Sequence, residues 1–284
     1  GFTTKPDNED WAGSPIGITS EIFSVNLNPN LAYKLTDTLT VGAGLQVQYV
    51  DVRLRSGSDN GIVASLRTAP DPLPGRETEG DDWGVGATAG VIWKPMTGTS
   101  LGVGFRSAID VELDGTCTGV GATNVSLTGG TAPAGCVPGG EPVTAEFTLP
   151  ELVSFGLSHQ LTDRIRVLGT VEWTNWSRLG TPQVVDTNGN SVDELELEYQ
   201  DGWFYSVGAE YAYSPDLILR AGVAYEESPI TDDTRNVFLP DDERIWLSVG
   251  ATTKLSERTK VDIGYSHLFI EDSPICQPQP NCDP

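Results

Sequence analysis

The 284-residue chain carries 40 acidic against 17 basic side chains, a formal charge of −23, which excludes binding to nucleic acid or to an anionic surface through a basic patch. Its 32 glycines, seven tryptophans and eight tyrosines against a single methionine, with little helical periodicity, point to an all-β protein rich in turns. No run of eighteen apolar residues exists to make a transmembrane helix, but a barrel wall hides its apolar residues at alternate positions and escapes that test.

Residues 1–17 are polar and read as the end of a loop. Residues 18–35 and 38–54 form the first hairpin about Thr36 and Asp37; in the second strand Leu39, Val41, Ala43, Leu45, Val47 and Tyr49 alternate with Thr40, Gly42, Gly44, Gln46 and Gln48. A period of two is the strand signature. A long loop, about 55–81, follows, with an apolar patch at Ile62, Val63 and Leu66 in the form of a short helix. Residues 83–93 alternate from Trp83 to Trp93 against glycines, with an aromatic at each end, as interfacial girdles require. Residues 101–113 answer them after a short turn, and a second long loop, about 114–144, contains Cys117 and Cys136.

Residues 147–160 and 165–176 make the third hairpin, with Pro150 removing a ladder donor and so marking a rim or a bulge. The loop about 177–193 carries the turn signal Asn188-Gly189. Residues 195–213 and 217–226 pair about Pro215, a loop about 227–243 follows, and 244–269 form the fifth hairpin, with Ile245, Leu247, Val249 and Ala251 on one face and Arg244, Trp246, Ser248 and Gly250 on the other. The tail 271–284 holds Cys276 and Cys282. With no histidine at metal spacing, the four cysteines read as two local disulfides, Cys117–Cys136 and Cys276–Cys282, in an oxidising compartment.

Ten strands thus alternate short turn and long loop, each near the length that a tilted strand needs to cross a bilayer. The expectation is one antiparallel transmembrane β-barrel domain over 1–284. Arg106, Asp110, Glu112, Arg166, Glu172, Glu210, Arg220, Glu226 and Asp262 fall on the face assigned to the lumen, since bare on lipid a basic residue costs about 2–4 kcal/mol at the midplane; mutual pairing is their expected state. His159 and His267 sit at lipid-facing or rim parity, and no nucleophile motif converges with them, so no enzyme, metal or cofactor is expected. The acidic runs Asp232-Asp233 and Asp241-Asp242-Glu243 lack a trustworthy cation-ligand spacing.

The stretches NLNPNLAYKLTDTLTVGAGLQVQYV, GDDWGVGATAGVIWKPMTGTSLGVGFRS, LPELVSFGLSHQLTDRIRVLGTVEWTNWSRL, LRAGVAYEESPI and LPDDERIWLSVGATTKLSERTKVDIGYSHLF, in this order, resemble the FadL family of outer-membrane transporters for long-chain fatty acids and aromatic hydrocarbons. The resemblance implies a fourteen-stranded barrel, ten strands of which are present here, plugged in the family by an N-terminal hatch that this chain lacks together with the first strands and the last. It implies passive uptake across the Gram-negative outer membrane. Ligand is met by loops 55–81 and 114–144, where Ile62, Val63 and Leu66 would contribute to a groove, and passes to a pocket in the upper barrel with Phe204, Phe238, Leu239 and Trp246 as walls. Arg53 and Arg55, at the top of a strand, read either as partners for a ligand carboxylate or as rim cations on lipopolysaccharide phosphate. The expected partners are a hydrophobic small molecule and outer-membrane lipid, and the expected state is a monomer.

Two other function classes stand beside this one: a general diffusion porin, which Phe204 and Trp246 on the wet face disfavour, and a surface adhesin or antigen with stapled loops. A soluble sandwich is the structural alternative.

Overall fold

The computed structural model describes residues 1–5, 17–57, 75–120, 136, 137, 139–195, 197–232, 234, 235 and 238–271. It is a single antiparallel sheet of sixteen strand segments: β1 (Phe2–Thr4), β2 (Thr19–Leu27), β3 (Asn30–Lys34), β4 (Leu39–Gly57), β5 (Gly75–Trp93), β6 (Thr99–Arg106), β7 (Ile109–Val120), β8 (Glu141–Leu149), β9 (Leu152–Gln160), β10 (Ile165–Thr174), β11 (Gln183–Asp186), β12 (Ser191–Glu194), β13 (Gly202–Ser214), β14 (Leu217–Glu226), β15 (Arg244–Ser256) and β16 (Thr259–Ile270). β2 with β3, β6 with β7 and β8 with β9 each continue one another along the same neighbours, and β1, β11 and β12 are short additions. The wall therefore has the ten strands that the alternation implies.

The outward face follows from exposure. Leu31, Val85, Val249 and Ile263 are 85%, 74%, 59% and 69% exposed, a burden no water-soluble sandwich accepts in rows, while the neighbouring positions are Gly, Ser, Thr and ion-paired side chains. Aromatics bound this apolar band. Phe23, Tyr49 and Trp83 contact one another at its upper edge, with ring centroids 6.5 and 5.0 Å apart, and Trp93, Tyr211 and Tyr213 mark the lower edge. His159 and His267 keep outward parity, the first against the Thr99 hydroxyl at 2.8 Å and the second against the Phe269 ring.

On the inward face Arg166, Glu210 and Arg220 form a ladder, with contacts of 3.3 Å and 2.7 Å, which Thr252 and Asp262 extend. The pairing runs between adjacent strands, so these two arginines and two carboxylates balance within the wall.

The strand expected over 195–213 begins only at Gly202, and three further features differ from the sequence expectation. Residues 2–4 add an edge strand to β2. The segments expected as loops 55–81 and 114–144 are strand at both ends, since β4 pairs with β5 up to Gly57 opposite Gly75, and β7 runs to Val120. The segment 177–193 holds the hairpin β11–β12, closed at Gly189 with φ of 81° and capped by Asp186, whose Oδ1 accepts the Asn188 and Asn190 amides at 2.8 and 2.9 Å. All three lie above the upper aromatics, where outward side chains are charged and the membrane pattern no longer applies.

The assignment of faces predicts unequal effects for two adjacent substitutions. Val249→Arg, in the middle of β15, places a guanidinium in hydrocarbon and is expected to cost about 2–4 kcal/mol, whereas Ser248→Arg points into the lumen and is expected to cost far less. Urea titrations of folding into lipid vesicles measure both; equal penalties would refute the orientation.

Candidate functional site

The residues that set the site are a pair of matched irregularities. Arg106 pairs with Leu152 and Ile109 with Leu149, so Ser107 and Ala108 stand opposite Pro150 and Glu151, and both strands slip phase at the same height. Against β5 the slip is a bulge: Thr88 pairs with Arg106 and Asp81 with Asp114, seven steps on β5 against eight on its partner. Side chains replace the missing ladder. The Ser107 amide donates to Ala87 O and the Ala87 amide to Ser107 Oγ, both at 2.9 Å, and the Glu112 amide donates to Asp82 Oδ2 at 2.9 Å. Pro150, which offers no amide, sits where none is needed.

The slip reverses what faces inward. Asp110 and Glu112, expected in the lumen, point outward with Asp114 and Glu146; the physical reason is the extra residue in the bulge, which a uniform alternation over 101–113 cannot show. Ile109, Val111 and Leu113 point inward and are buried with Val50, and Val52, Ala145, Phe147 and Leu149 pack against them. Two glycines make this possible. A Cβ on Gly84 would stand 2.3 Å from Ile109 Cγ2, and one on Gly86 would stand 2.7 Å from Ile109 Cγ1, so Ile109 lies over bare backbone and gains roughly 2 kcal/mol from burial there.

β4 makes the same reversal without a bulge. Below Tyr49 its inward residues are Gln46 and Gln48; above it they are Val50, Val52 and Leu54, while Asp51, Arg53 and Arg55 turn outward. The upper barrel is therefore lined by aliphatic side chains on β4, β7 and β8, above a polar and ion-paired lower lumen. Above this lining, Cys117 and Cys136 are joined in a disulfide and pack with Val143 and Val184. Arg76 reaches Asp193 of the β11–β12 hairpin at 2.5 Å, where burial lifts the Asp193 carboxyl above its ordinary value and the guanidinium draws it back.

Phe204 and Trp246 lie on the inward face farther round the sheet. Phe204 pairs in register with Glu172 and Glu226, and the Trp246 indole donates to Glu226 Oε2 at 3.0 Å, which satisfies the polar edge of the ring and holds its apolar face toward the lumen. Arg53 and Arg55 share the outward parity of Tyr49 and Trp83. Arg53 bonds Glu77 at 2.9 Å, a pair worth at most about 1 kcal/mol, and its side chain points away from the lumen. Leu239 packs in a loop nest with Leu197, Tyr199 and Ile230, and Phe238 stands beside it in the same loop. Ile62, Val63 and Leu66, with Cys276 and Cys282, lie outside the described residues. Sequence reading missed Ile109, Val111, Leu113, Phe147 and Leu149 as lining; the signal was Pro150 opposite a Ser-Ala pair.

The acids of loop 227–243 are structural partners. Arg235, 1% exposed, donates to Asp232 at 2.6 Å, Asp242 at 2.9 Å and the Asp241 carbonyl at 3.0 Å, and Arg244 binds Asp241. Among the described residues no group of His, Cys, Asp and Glu is placed to hold a metal ion. On the outward face a shallow trough of about 950 Å³ runs between rows of side chains that include Val91, Trp93, Leu101, Phe155, Leu157 and Val207, within the apolar band and apart from the lumen.

The family model described as outer membrane protein transport protein (OMPP1/FadL/TodX) matches residues 1–283. Outer membrane protein P1 of Haemophilus influenzae is 28% identical over 94% of this chain and 60% of its own length, and the long-chain fatty acid transport protein of Salmonella typhi is 24% identical over 92% and 62%. The crystal structure of a Pseudomonas aeruginosa FadL homologue superposes with a TM-score of 0.81 at 26% identity, covering 93% of this chain and 63% of that one. The Ralstonia pickettii toluene transporter TbuX gives 0.59 at 20% identity over 87% and 63%, a likeness of fold. The chain thus spans about 60% of the length of the curated relatives.

Two outcomes follow from this geometry. Gly84→Ala is expected to destabilise the barrel by about 1–3 kcal/mol through overpacking, and Ile109→Ala in the same chain to restore part of that loss; a double-mutant cycle with no coupling would dissociate the two residues. Arg235→Met is expected to loosen loop 227–243 by roughly 2–3 kcal/mol, less than a fully buried pair because Asp232 stays hydrated, visible as proteolytic nicking in that loop while the barrel stays folded.

Proposed function

We propose, since the chain belongs to the outer membrane protein transport family (OMPP1/FadL/TodX), that it takes part in the passive uptake of small hydrophobic molecules across the outer membrane of a Gram-negative bacterium. The observation that carries this reading is the reversed alternation above the upper aromatics: Ile109, Val111, Phe147 and Leu149 face inward where a channel for polar solutes would be wet. Apolar lining supplies affinity, a few polar groups orient the ligand, and a concentration gradient suffices as driving force. Ligand captured among the extracellular loops passes to this wall, with Phe204 and Trp246 as further apolar contacts. The long-chain fatty acid transport proteins among the relatives support a fatty acid as the substrate, with an aromatic hydrocarbon, the substrate in the name of the toluene transporter TbuX, as the second reading. Arg53, held outward by Glu77, serves the rim at lipopolysaccharide phosphate, and the barrel acts as a monomer.

Phe147 and Leu149 are half-buried, so their truncation tests the lining without collapsing it. Phe147→Ser with Leu149→Ser is expected to weaken uptake of a hydrophobic probe about tenfold, near 1.4 kcal/mol, in vesicles reconstituted with the full-length protein, and to leave glucose permeation unchanged. Equal passage of glucose and the hydrophobic probe in both proteins would establish the porin instead.

A further inference from the structure

A second apolar site lies in the extracellular loops, apart from the barrel lining. Leu197, Tyr199 and Ile230 are buried together, and Trp176, Leu179, Leu195 and Leu239 close round them. Four separate places in the chain contribute, the 3₁₀ turn Trp176–Leu179, the group Leu195, Leu197 and Tyr199, Ile230 and Leu239, so the nest joins two loops. The Gln200 amide donates to Pro229 O at 2.8 Å and the Glu198 amide to Gly180 O at 3.4 Å.

Within this nest the Tyr199 hydroxyl is buried and has no hydrogen-bond partner among the described residues, the residue being 7% exposed. Buried hydroxyls are almost always paired, and one that is not calls for an explanation. The residue before it supplies a second anomaly: Glu198, at φ of 42°, is the one non-glycine with positive φ among the described residues. Such backbone persists where the surroundings impose it, and it concentrates at sites that bind or move.

The charges around the nest limit what can bind. Segments 177–201 and 227–243 together hold two basic residues, Arg178 and Arg235, against twelve acidic ones. Both cations are already engaged, Arg178 by Glu151 at 2.5 Å and Arg235 by Asp232 and Asp242. A carboxylate would meet a negative field with no cation to receive it. The phenol remains a neutral donor, because burial first and the Asp241 charge second hold its proton well above the ordinary phenol range.

We infer that this nest is a ligand subsite for an uncharged apolar molecule with one hydrogen-bond acceptor, the acceptor taking the Tyr199 hydroxyl. The inference rests on the uptake reading above and narrows its substrate class toward neutral oxygenated or aromatic compounds rather than carboxylates. Access to the hydroxyl requires Leu197 and Tyr199 to part from Ile230 and Leu239, and Glu198, which lies between them, is the point of strain.

The test uses the full-length protein in vesicles, with acetophenone, ethylbenzene and benzoate as probes of similar size. Tyr199→Phe is expected to lower acetophenone uptake about three- to tenfold, the worth of one neutral hydrogen bond, and to leave ethylbenzene uptake unchanged. The temperature at which the folded barrel loses its compact electrophoretic mobility should stay the same or rise, since a hydroxyl without a partner has been removed. Equal loss for acetophenone and ethylbenzene, no loss for either, a marked fall in that temperature, or faster uptake of benzoate than of acetophenone by the unaltered protein would each overturn the subsite. If the unaltered protein passed neither neutral probe, the uptake reading itself would fall, and the subsite with it.

Discussion

Every outward side chain of this wall meets hydrocarbon between the two rows of aromatics and water above the upper one, and every backbone amide within the hydrocarbon must find its partner inside the sheet. The first condition sets which face is apolar at each height. On β5 the outward positions Val85, Val91 and Trp93 give way to Asp81, Glu79 and Glu77 above Trp83. Once the outside is wet, apolar side chains gain nothing by facing out, and the shelter that remains is within. The aliphatic lining of the upper barrel is thus a consequence of where the membrane ends.

The second condition explains why the reversal is built in two ways. On β4 the residue types change and the backbone runs on in register through Gly57. On β7 and β8 the pattern is shifted by a residue, which is tolerable only where lost ladder bonds can be replaced. Ser107 Oγ and Asp82 Oδ2 supply the replacements, and Pro150 has no amide to satisfy. The neighbouring strands slip together, so their own pairing is undisturbed: Arg106 with Leu152 below and Ile109 with Leu149 above. A slip on one strand alone would have set Ile109 and Phe147 on opposite faces and split the lining between lumen and water.

These conditions also separate what could be read from the sequence from what could not. The ten wall strands, the short turns and the inward parity of Phe204 and Trp246 were legible, because within the membrane one period governs each strand. The Cys117–Cys136 disulfide was legible from local spacing. Asp110 and Glu112 were misplaced because Leu101, Val103, Phe105, Ile109, Val111 and Leu113 all occupy odd positions and conceal the extra residue between them. The strand ends over 55–57 and 75–81 read as loop because their charges face water. Tyr199 and Arg235 were invisible, since no periodic pattern governs a loop and each is defined by contacts distant in the chain.

The loop acids mark the same boundary in another way. A net charge of −23 invites a search for bound cations, yet Asp232, Asp241 and Asp242 are committed to Arg235 in their own loop and to Arg244 at the start of β15. Arg235 is the element that makes this arrangement hold: a guanidinium almost out of solvent requires several acceptors in fixed directions, and the groups that supply them tie Asp232, Asp241 and Asp242 to one point. The loop that holds Leu239 against Tyr199 is thereby shaped by charge, while the surface it presents to Tyr199 is apolar. Repulsion of anions and shelter for a neutral ligand then arise from one structure, the acids facing water and the leucines facing in.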